Sequence, residues 1–180
     1  EAPALIVHLI LVVTEFFKYL NMTFSRENAP ASLRAAVIDL NNNTPNQGMR
    51  CIREMLEWQR EHLPVGLDYE VFDARHQHQV PDTSFDVYIS SGGPGSPFDD
   101  EGTDWENRYF QLARDIREHN LSGHPRKKFF FFICHSFQLM CRCFGIGQLS
   151  KRDTMAFGVS QVQKTAAGLQ EPLFSSLPHP

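Results

Sequence analysis

The 180-residue chain predicts one α/β domain: an open, mostly parallel sheet with helices on both faces. Short, continuous apolar segments are typical of strands that are buried on both sides. They alternate at least three times with amphipathic helical segments, which favours parallel strands joined by right-handed crossovers. Two unusual motifs each follow directly on a strand. Because the binding sites of such sheets lie at the carboxyl ends of the strands, we expect both motifs in one cleft.

The first half of the chain supplies three of the predicted strands. Residues 35–40 form a continuous apolar run, and residues 67–72 and 85–90 are similar. Residues 47–63 are predicted to be a helix, because apolar side chains recur at helical spacing and Pro64 ends the run.

The second half continues the alternation. Residues 105–119 are a predicted helix with large apolar residues on one face, followed by a strand at 128–134 and a helix at 136–144. Two short strands are expected at 149–155 and 157–164, and a polar, proline-containing tail closes the chain.

Composition and charge exclude several functional classes. A hydrophobic content of 42% and a net charge of −4 give no reason to expect a nucleic-acid partner. The cysteines lie in helix or elbow patterns rather than a disulfide framework, so we expect a cytoplasmic protein. They also lack the spacing of zinc ligands, and we predict no metal and no cofactor. The four cysteines are Cys51, Cys134, Cys141 and Cys143.

Residues 1–34 are interpreted as an N-terminal extension whose role the sequence leaves open. Its apolar run at 4–13 is too short to span a membrane, and it lacks the basic flank of a signal peptide. We expect a packed or partner-facing segment, with a cleaved or anchoring segment as the alternative, and we predict no membrane partner.

The first chemical motif surrounds Cys134. The apolar strand Phe131-Phe132-Ile133 runs straight into this cysteine, and a helical segment follows. A sharp turn from strand to helix presents a nucleophile at the end of a sheet. The N-terminus of the following helix favours the thiolate.

The second motif, Ser90-Ser91-Gly92-Gly93-Pro94-Gly95-Ser96-Pro97, follows the third strand. Glycines permit positive φ and let backbone N–H groups approach a ligand. The spacing matches neither the P-loop nor the dinucleotide-binding fingerprint. An oxyanion hole fits a sheet that also carries a cysteine nucleophile, and a tight surface loop is the alternative.

Together the two motifs resemble the class I glutamine amidotransferases, in particular the glutamine amidotransferase domain of GMP synthase. That family's elbow reads Gly-x-Cys-x-Gly-x-Gln, and its oxyanion loop reads close to Ser-Gly-Gly-Pro-Gly-Ser-Pro. The resemblance covers roughly residues 35–164, and it implies a flavodoxin-like sheet.

The resemblance also implies a role for each matching residue. Cys134 would attack the side-chain amide of glutamine, and the backbone N–H groups of Gly93 and His135 would stabilise the oxyanion. Gln138 and the backbone around Gly95 would hold the glutamine. Formation of the γ-glutamyl thioester would release ammonia, and its hydrolysis would give glutamate. The resemblance implies either a synthetase partner that uses the ammonia or a homo-oligomer.

The chain departs from the family pattern at three points. Phe132 and Ser136 stand where the family has glycine. The downstream His-x-Glu is not found, and His179, which a proline follows, is not assigned as the base. We therefore expect residues 35–180 to be an amidotransferase-like domain without its C-terminal part. By itself it would be inactive or weakly active, because deacylation would lack a general base.

Two other interpretations stay open. The first alternative is a non-catalytic relative that acts as a binding or regulatory module. It also resembles the DJ-1/PfpI group of cysteine hydrolases, in which a histidine directly follows the elbow cysteine, as His135 follows Cys134 here. That group does not usually carry the glycine motif or a glutamine at the position of Gln138.

Overall fold

In a computed structural model the described residues are 32–63, 65–150, 163–171 and 174. They form four strands and four helices. In chain order these are β1 (Ser32–Asp39), α1 (Gln47–His62), β2 (Gly66–Asp73), β3 (Val87–Ser90), α2 (Asp104–Leu121), β4 (Phe129–Phe132), α3 (His135–Phe144) and α4 (Ala166–Gln170).

The four strands form one parallel sheet in the order β2-β1-β3-β4. In the register of the sheet, Val37 of β1 lies between Val71 of β2 and Ile89 of β3. In the sheet, β2 lies on one side of β1, whereas β3 and then β4 lie on the other side. Right-handed crossovers therefore place α1 and α2 on opposite faces. The predicted open, parallel α/β sheet is confirmed.

Alternate residues of β1 enter two separate hydrophobic cores, because successive side chains of a strand point to opposite faces. Leu33 and Val37 pack with α1, whereas Ala36 and Ile38 pack with α2 and α3. The α1 core includes Met49, Ile52, Met55, Leu56, Leu67, Val87 and Ile89. The α2 core includes Tyr88, Trp105, Tyr109, Leu112, Ile116, Leu139 and Met140. Helices thus cover both faces of the sheet, as predicted.

The element boundaries differ from prediction at a few places. β1 begins at Ser32, three residues early, because Leu33 is buried and the Arg34 N–H donates to the Asp86 carboxylate (3.0 Å). Most of the two short strands expected at 149–164 lies outside the described residues, as do residues 1–31. The short helix α4 was not predicted.

The ends of β1 and β3 are joined by the segment that follows β3. The Ser91 N–H donates to the Ile38 carbonyl, and the Leu40 N–H donates to Ser91 Oγ (both 2.9 Å). The strand order reverses between β1 and β3, which is where open α/β sheets form their ligand crevices. In the part of the chain that the structure describes, every helix is too short or too polar to cross a membrane.

Candidate active site

Cys134 occupies the sharp turn between β4 and α3. Its backbone has φ 54° and ψ −105°, which an L-residue with a side chain rarely adopts. The Gln138 N–H donates to the Cys134 carbonyl (3.2 Å) and closes the first turn of α3. Cys134 is exposed at the end of the sheet. The geometry is that of the predicted elbow.

Ser136 fastens this elbow to the neighbouring strand. Its buried hydroxyl accepts the N–H of Ile133 (2.7 Å) and lies 3.0 Å from the carbonyl of Ser90, to which it can donate. The Tyr109 hydroxyl donates to Ser90 Oγ from the α2 side (2.8 Å). A serine at this position therefore does not disrupt the elbow; it links the elbow to β3.

Phe132 also leaves the turn intact. Its ring stacks on Phe130 with centroids 4.1 Å apart and packs against the α2 core. Side chains two residues apart in a strand share one face of the sheet. The ring of Phe132 therefore lies on the same face as that of Phe130 and not in the turn itself.

The glycine motif contacts the elbow directly. A Cβ added to Gly92 would lie 3.5 Å from the Cβ of Cys134 and 3.8 Å from the carbonyl oxygen of Ile133. The two motifs thus meet in one place, as the sequence predicted.

The other two glycines of the motif have different constraints. A Cβ on Gly93 would lie 2.4 Å from the carbonyl oxygen of Leu40, so the backbone there packs against the end of β1. Gly95 has φ +92°, and a Cβ would lie 2.7 Å from the Asp99 carboxylate, which accepts the N–H of Ser96 (2.7 Å). Only Gly95 of the three uses positive φ. Gly93 permits close approach of the backbone, and Gly92 lies at an ordinary contact distance from Cys134.

His135 is the first residue of α3, so its N–H has no acceptor within the helix. Its side chain is buried, and Nδ1 has no hydrogen-bond partner among the described residues. Burial, and then the charge of Arg75, lowers the pKa of His135 to about 4. The imidazole is therefore neutral at neutral pH.

Gln138 follows Cys134 by four residues, which places the two on the same side of the first turn of α3. Its side chain is partly exposed, and the neighbouring Phe137 is exposed. The structure therefore brings Gln138 to the same edge of the sheet as the thiol.

Arg75 is part of this edge, although the sequence analysis did not single it out. It follows β2, and its buried guanidinium donates to the carbonyls of Pro94 (2.7 Å) and Leu40 (3.2 Å). It also pairs with Asp100 (2.7 Å). A lone arginine just after a strand, at the carboxyl edge of a parallel sheet, was the available signal.

Arg142 holds the other end of the same segment. It projects from α3, donates to the carbonyl of Pro97, and pairs with the buried Glu106 and with Glu101 (3.1 Å to the latter). The Glu106 carboxylate also accepts the N–H of Gly102 (3.1 Å). A single cation in the otherwise apolar second half of α3 was the sequence signal for this contact.

The remaining cysteines belong to the interior. Cys141 is buried and Cys143 is half-buried, and burial raises the pKa of the Cys143 thiol. No group of three or more His, Cys, Asp or Glu within the described ranges could hold a metal ion.

The arrangement combines three features that acyl transfer requires. Cys134 presents an exposed thiol at a helix N-terminus, a glycine-rich segment lies against it, and the N–H of His135 has no acceptor within α3. No protein-family model and no curated protein matches the chain.

Proposed function

We propose that the chain carries a class I glutamine amidotransferase-type site, in which Cys134 attacks the side-chain amide of glutamine. One observation carries the proposal: the strained, exposed elbow cysteine lies against Gly92 of the Ser-Gly-Gly-Pro-Gly-Ser-Pro segment. Thiol and candidate oxyanion donors must be this close, because the oxyanion forms on the carbon that the sulfur attacks, two bonds from the sulfur.

The sheet supports the same proposal. The order β2-β1-β3-β4, with a reversal between β1 and β3, is consistent with the beginning of a flavodoxin-like sheet. In this arrangement the substrate binds beyond the carboxyl ends of the strands, where Cys134 and the glycine segment lie.

The proposed reaction has two steps. The Cys134 thiolate adds to the amide carbon, and the backbone N–H groups of Gly93 and His135 stabilise the oxyanion while Gln138 and Gly95 hold the substrate. Collapse forms the γ-glutamyl thioester and releases the amide nitrogen, which takes up a proton and leaves as ammonia. Water then adds to the thioester and gives glutamate and the free thiol.

Both steps need a group that moves protons, and His135 is poorly suited to that role. Its imidazole is buried, and the charges that act on it belong to Arg75, Asp99 and Asp100. This weakens the alternative of a DJ-1/PfpI-like Cys134–His135 pair. We propose that the general acid–base group lies outside the described residues.

The proposal is tested with an electrophilic diazoketone analogue of glutamine, which alkylates a thiol in a glutamine-binding site and loses dinitrogen. We expect mass spectrometry to find one adduct, on Cys134, that excess glutamine prevents and excess asparagine does not. Cys134→Ser should abolish the adduct, whereas Cys143→Ser, which removes a half-buried thiol of the same helix, should leave it unchanged.

Three results would contradict the proposal. Labelling of Cys134 that glutamine does not slow would mean that the cleft does not recognise this substrate. Glutamine binding without any adduct or ammonia release would instead identify a non-catalytic binding module. Activity on aldehydes or peptides that is lost in His135→Ala would favour the DJ-1/PfpI-like alternative.

A further inference from the structure

We propose that Arg75 is the positioning residue of the oxyanion segment: it holds residues 93 and 94 against the end of β1, so that their backbone faces Cys134. This inference rests on the proposed function and adds a residue to it. Arg75 follows β2, which lies on the far side of β1 from the elbow.

The contacts of Arg75 surround one short stretch of backbone. Its Nη1 donates to the carbonyl of Pro94 (2.7 Å) and to that of Leu40 (3.2 Å). The Leu40 oxygen is also the nearest atom to the missing Cβ of Gly93, at 2.4 Å. The guanidinium therefore bridges the two backbones where they pack most closely, and Gly93 cannot withdraw from β1 while the bridge holds.

The bridge is anchored on its other side. Nη2 of Arg75 pairs with Asp100 (2.7 Å), and the guanidinium lies 5.8 Å from the ring centroid of Trp105. The carbonyl of Asp100 accepts both the N–H (3.1 Å) and the hydroxyl (2.7 Å) of Thr103, which precedes α2. The position of the segment is thus tied to the start of a core helix.

Arg75 also acts on the elbow side of the cleft. Its charge contributes to the lowered pKa of His135, the residue after Cys134. Both Nε of Arg75 and Nδ1 of His135 are buried without a hydrogen-bond partner among the described residues. Arg75 is therefore close enough to α3 for its charge to act on His135, whose N–H is the second candidate oxyanion donor.

Only an arginine has the geometry for these three contacts. Its planar fork presents fixed donors in several directions, whereas a lysine offers one compact ammonium. Lysine at this position should keep the charge but lose part of the bridge. The pair Arg75→Lys and Arg75→Gln therefore separates the effect of charge from that of geometry.

The test measures two rates for Cys134 in the full chain. The diazoketone analogue of glutamine reports on substrate-like attack, through its maximal inactivation rate and its half-saturating concentration. Iodoacetamide reports on the thiol alone. We expect Arg75→Gln to lower the maximal inactivation rate about 10- to 100-fold, since misplacing an oxyanion donor has effects of this order. The half-saturating concentration should change less than about threefold, and the iodoacetamide rate less than about twofold.

Arg75→Lys should give a maximal inactivation rate between those of the unaltered chain and Arg75→Gln. Arg60→Gln is the matched control: this exposed arginine also contacts two carboxylates, those of Asp68 and Glu57, but belongs to α1. It should leave both rates unchanged. Asp100→Asn keeps Arg75 and weakens its anchor, so it should lower the inactivation rate even if Arg75→Gln does not fold.

The outcomes separate the two proposals. If the unaltered chain reacts with iodoacetamide but not with the glutamine analogue, the proposed function fails. If the analogue labels the unaltered chain and the folded Arg75 variants at the same rate, the positioning role is overturned. A parallel fall in the iodoacetamide rate also overturns it, because Arg75 would then act on the thiol and not on the segment.

Discussion

At the scale of one residue, Cys134 has a strained backbone that exposes its thiol. A residue with a side chain at φ 54° and ψ −105° is strained by about 1–3 kcal/mol. The strain persists because Ser136, buried below the turn, holds the elbow to β3 through its hydroxyl. In return the thiol stands clear of the sheet at the N-terminus of α3.

This strain predicts that Cys134→Gly is more stable than Cys134→Ala by about 1 kcal/mol. Glycine relieves the positive φ, and the gain exceeds the roughly 0.5–1 kcal/mol that glycine's flexibility costs in the unfolded chain. Chemical unfolding of both variants measures the difference. At exposed Arg117 in α2 the order should reverse, with alanine favoured by about 1 kcal/mol. The same order at both positions would mean that the elbow is not strained.

At the scale of one element, the segment after β3 packs against two different neighbours. Gly93 lies against the backbone carbonyl of Leu40, which cannot rotate away as a side chain can. Gly92 lies against the side chain of Cys134 at an ordinary contact distance. Two adjacent glycines should therefore respond differently to the same added methyl group.

We predict that Gly93→Ala destabilises the fold by about 1–3 kcal/mol and slows labelling of Cys134 by the glutamine analogue at least tenfold, because the segment must leave β1. Gly92→Ala should stay within about 1 kcal/mol of the unaltered chain and mainly reduce access to the thiol. Unfolding curves and labelling rates for the pair check this. Equal destabilisation by the two substitutions would contradict it.

The helices and strands from β1 to α3 were predictable, because local patterns determine them, whereas the five-residue α4 was not. The spacing of apolar residues predicted α1 at 47–63, and the structure has Gln47–His62. The elbow was predictable for the same reason, since strand, cysteine and helix are consecutive. The start of β1 was not, because Arg34 belongs to the strand through a contact with Asp86, which is distant in sequence.

The two arginines that hold the glycine segment were missed for a similar reason. Arg75 and Arg142 contact Pro94 and Pro97 across the fold. Their local sequence signals, a position just after a strand and a position in an apolar half-helix, do not show which backbone they contact. From a single sequence a charged residue is predicted to be exposed to solvent, because most charged residues are. Only the packing of β2, β3 and α3 around one edge reveals the contacts.

At the scale of the whole molecule, two apolar cores support a polar carboxyl edge. The sheet separates the cores. β1 ends at Asp39 and β3 ends at Ser90, where hydrogen bonds from Asn41 and Tyr109 replace apolar packing, and Cys134 follows the end of β4. Buried polar groups gather along this edge, and a neutral imidazole, that of His135, is among them. The stability of the whole fold is thereby coupled to the protonation of one side chain.

His135 should make the fold less stable in acid. Its pKa is lowered from 6.5 to about 4 in the folded chain, so the unfolded chain binds the extra proton first as pH falls. The stabilisation is fully present above pH 6.5 and is lost progressively as pH falls toward 4. Between pH 7 and pH 4.5 the loss amounts to about 2 kcal/mol.

His135→Gln, which cannot titrate, isolates this contribution. We expect the free energy of unfolding to fall about 2 kcal/mol less in His135→Gln than in the unaltered chain over this range. Urea unfolding at both pH values measures it, and every other ionisable side chain is common to both proteins. An equal fall in the two proteins would show that His135 has the same pKa in the folded and unfolded chains, and that the lowered pKa of His135 is wrong.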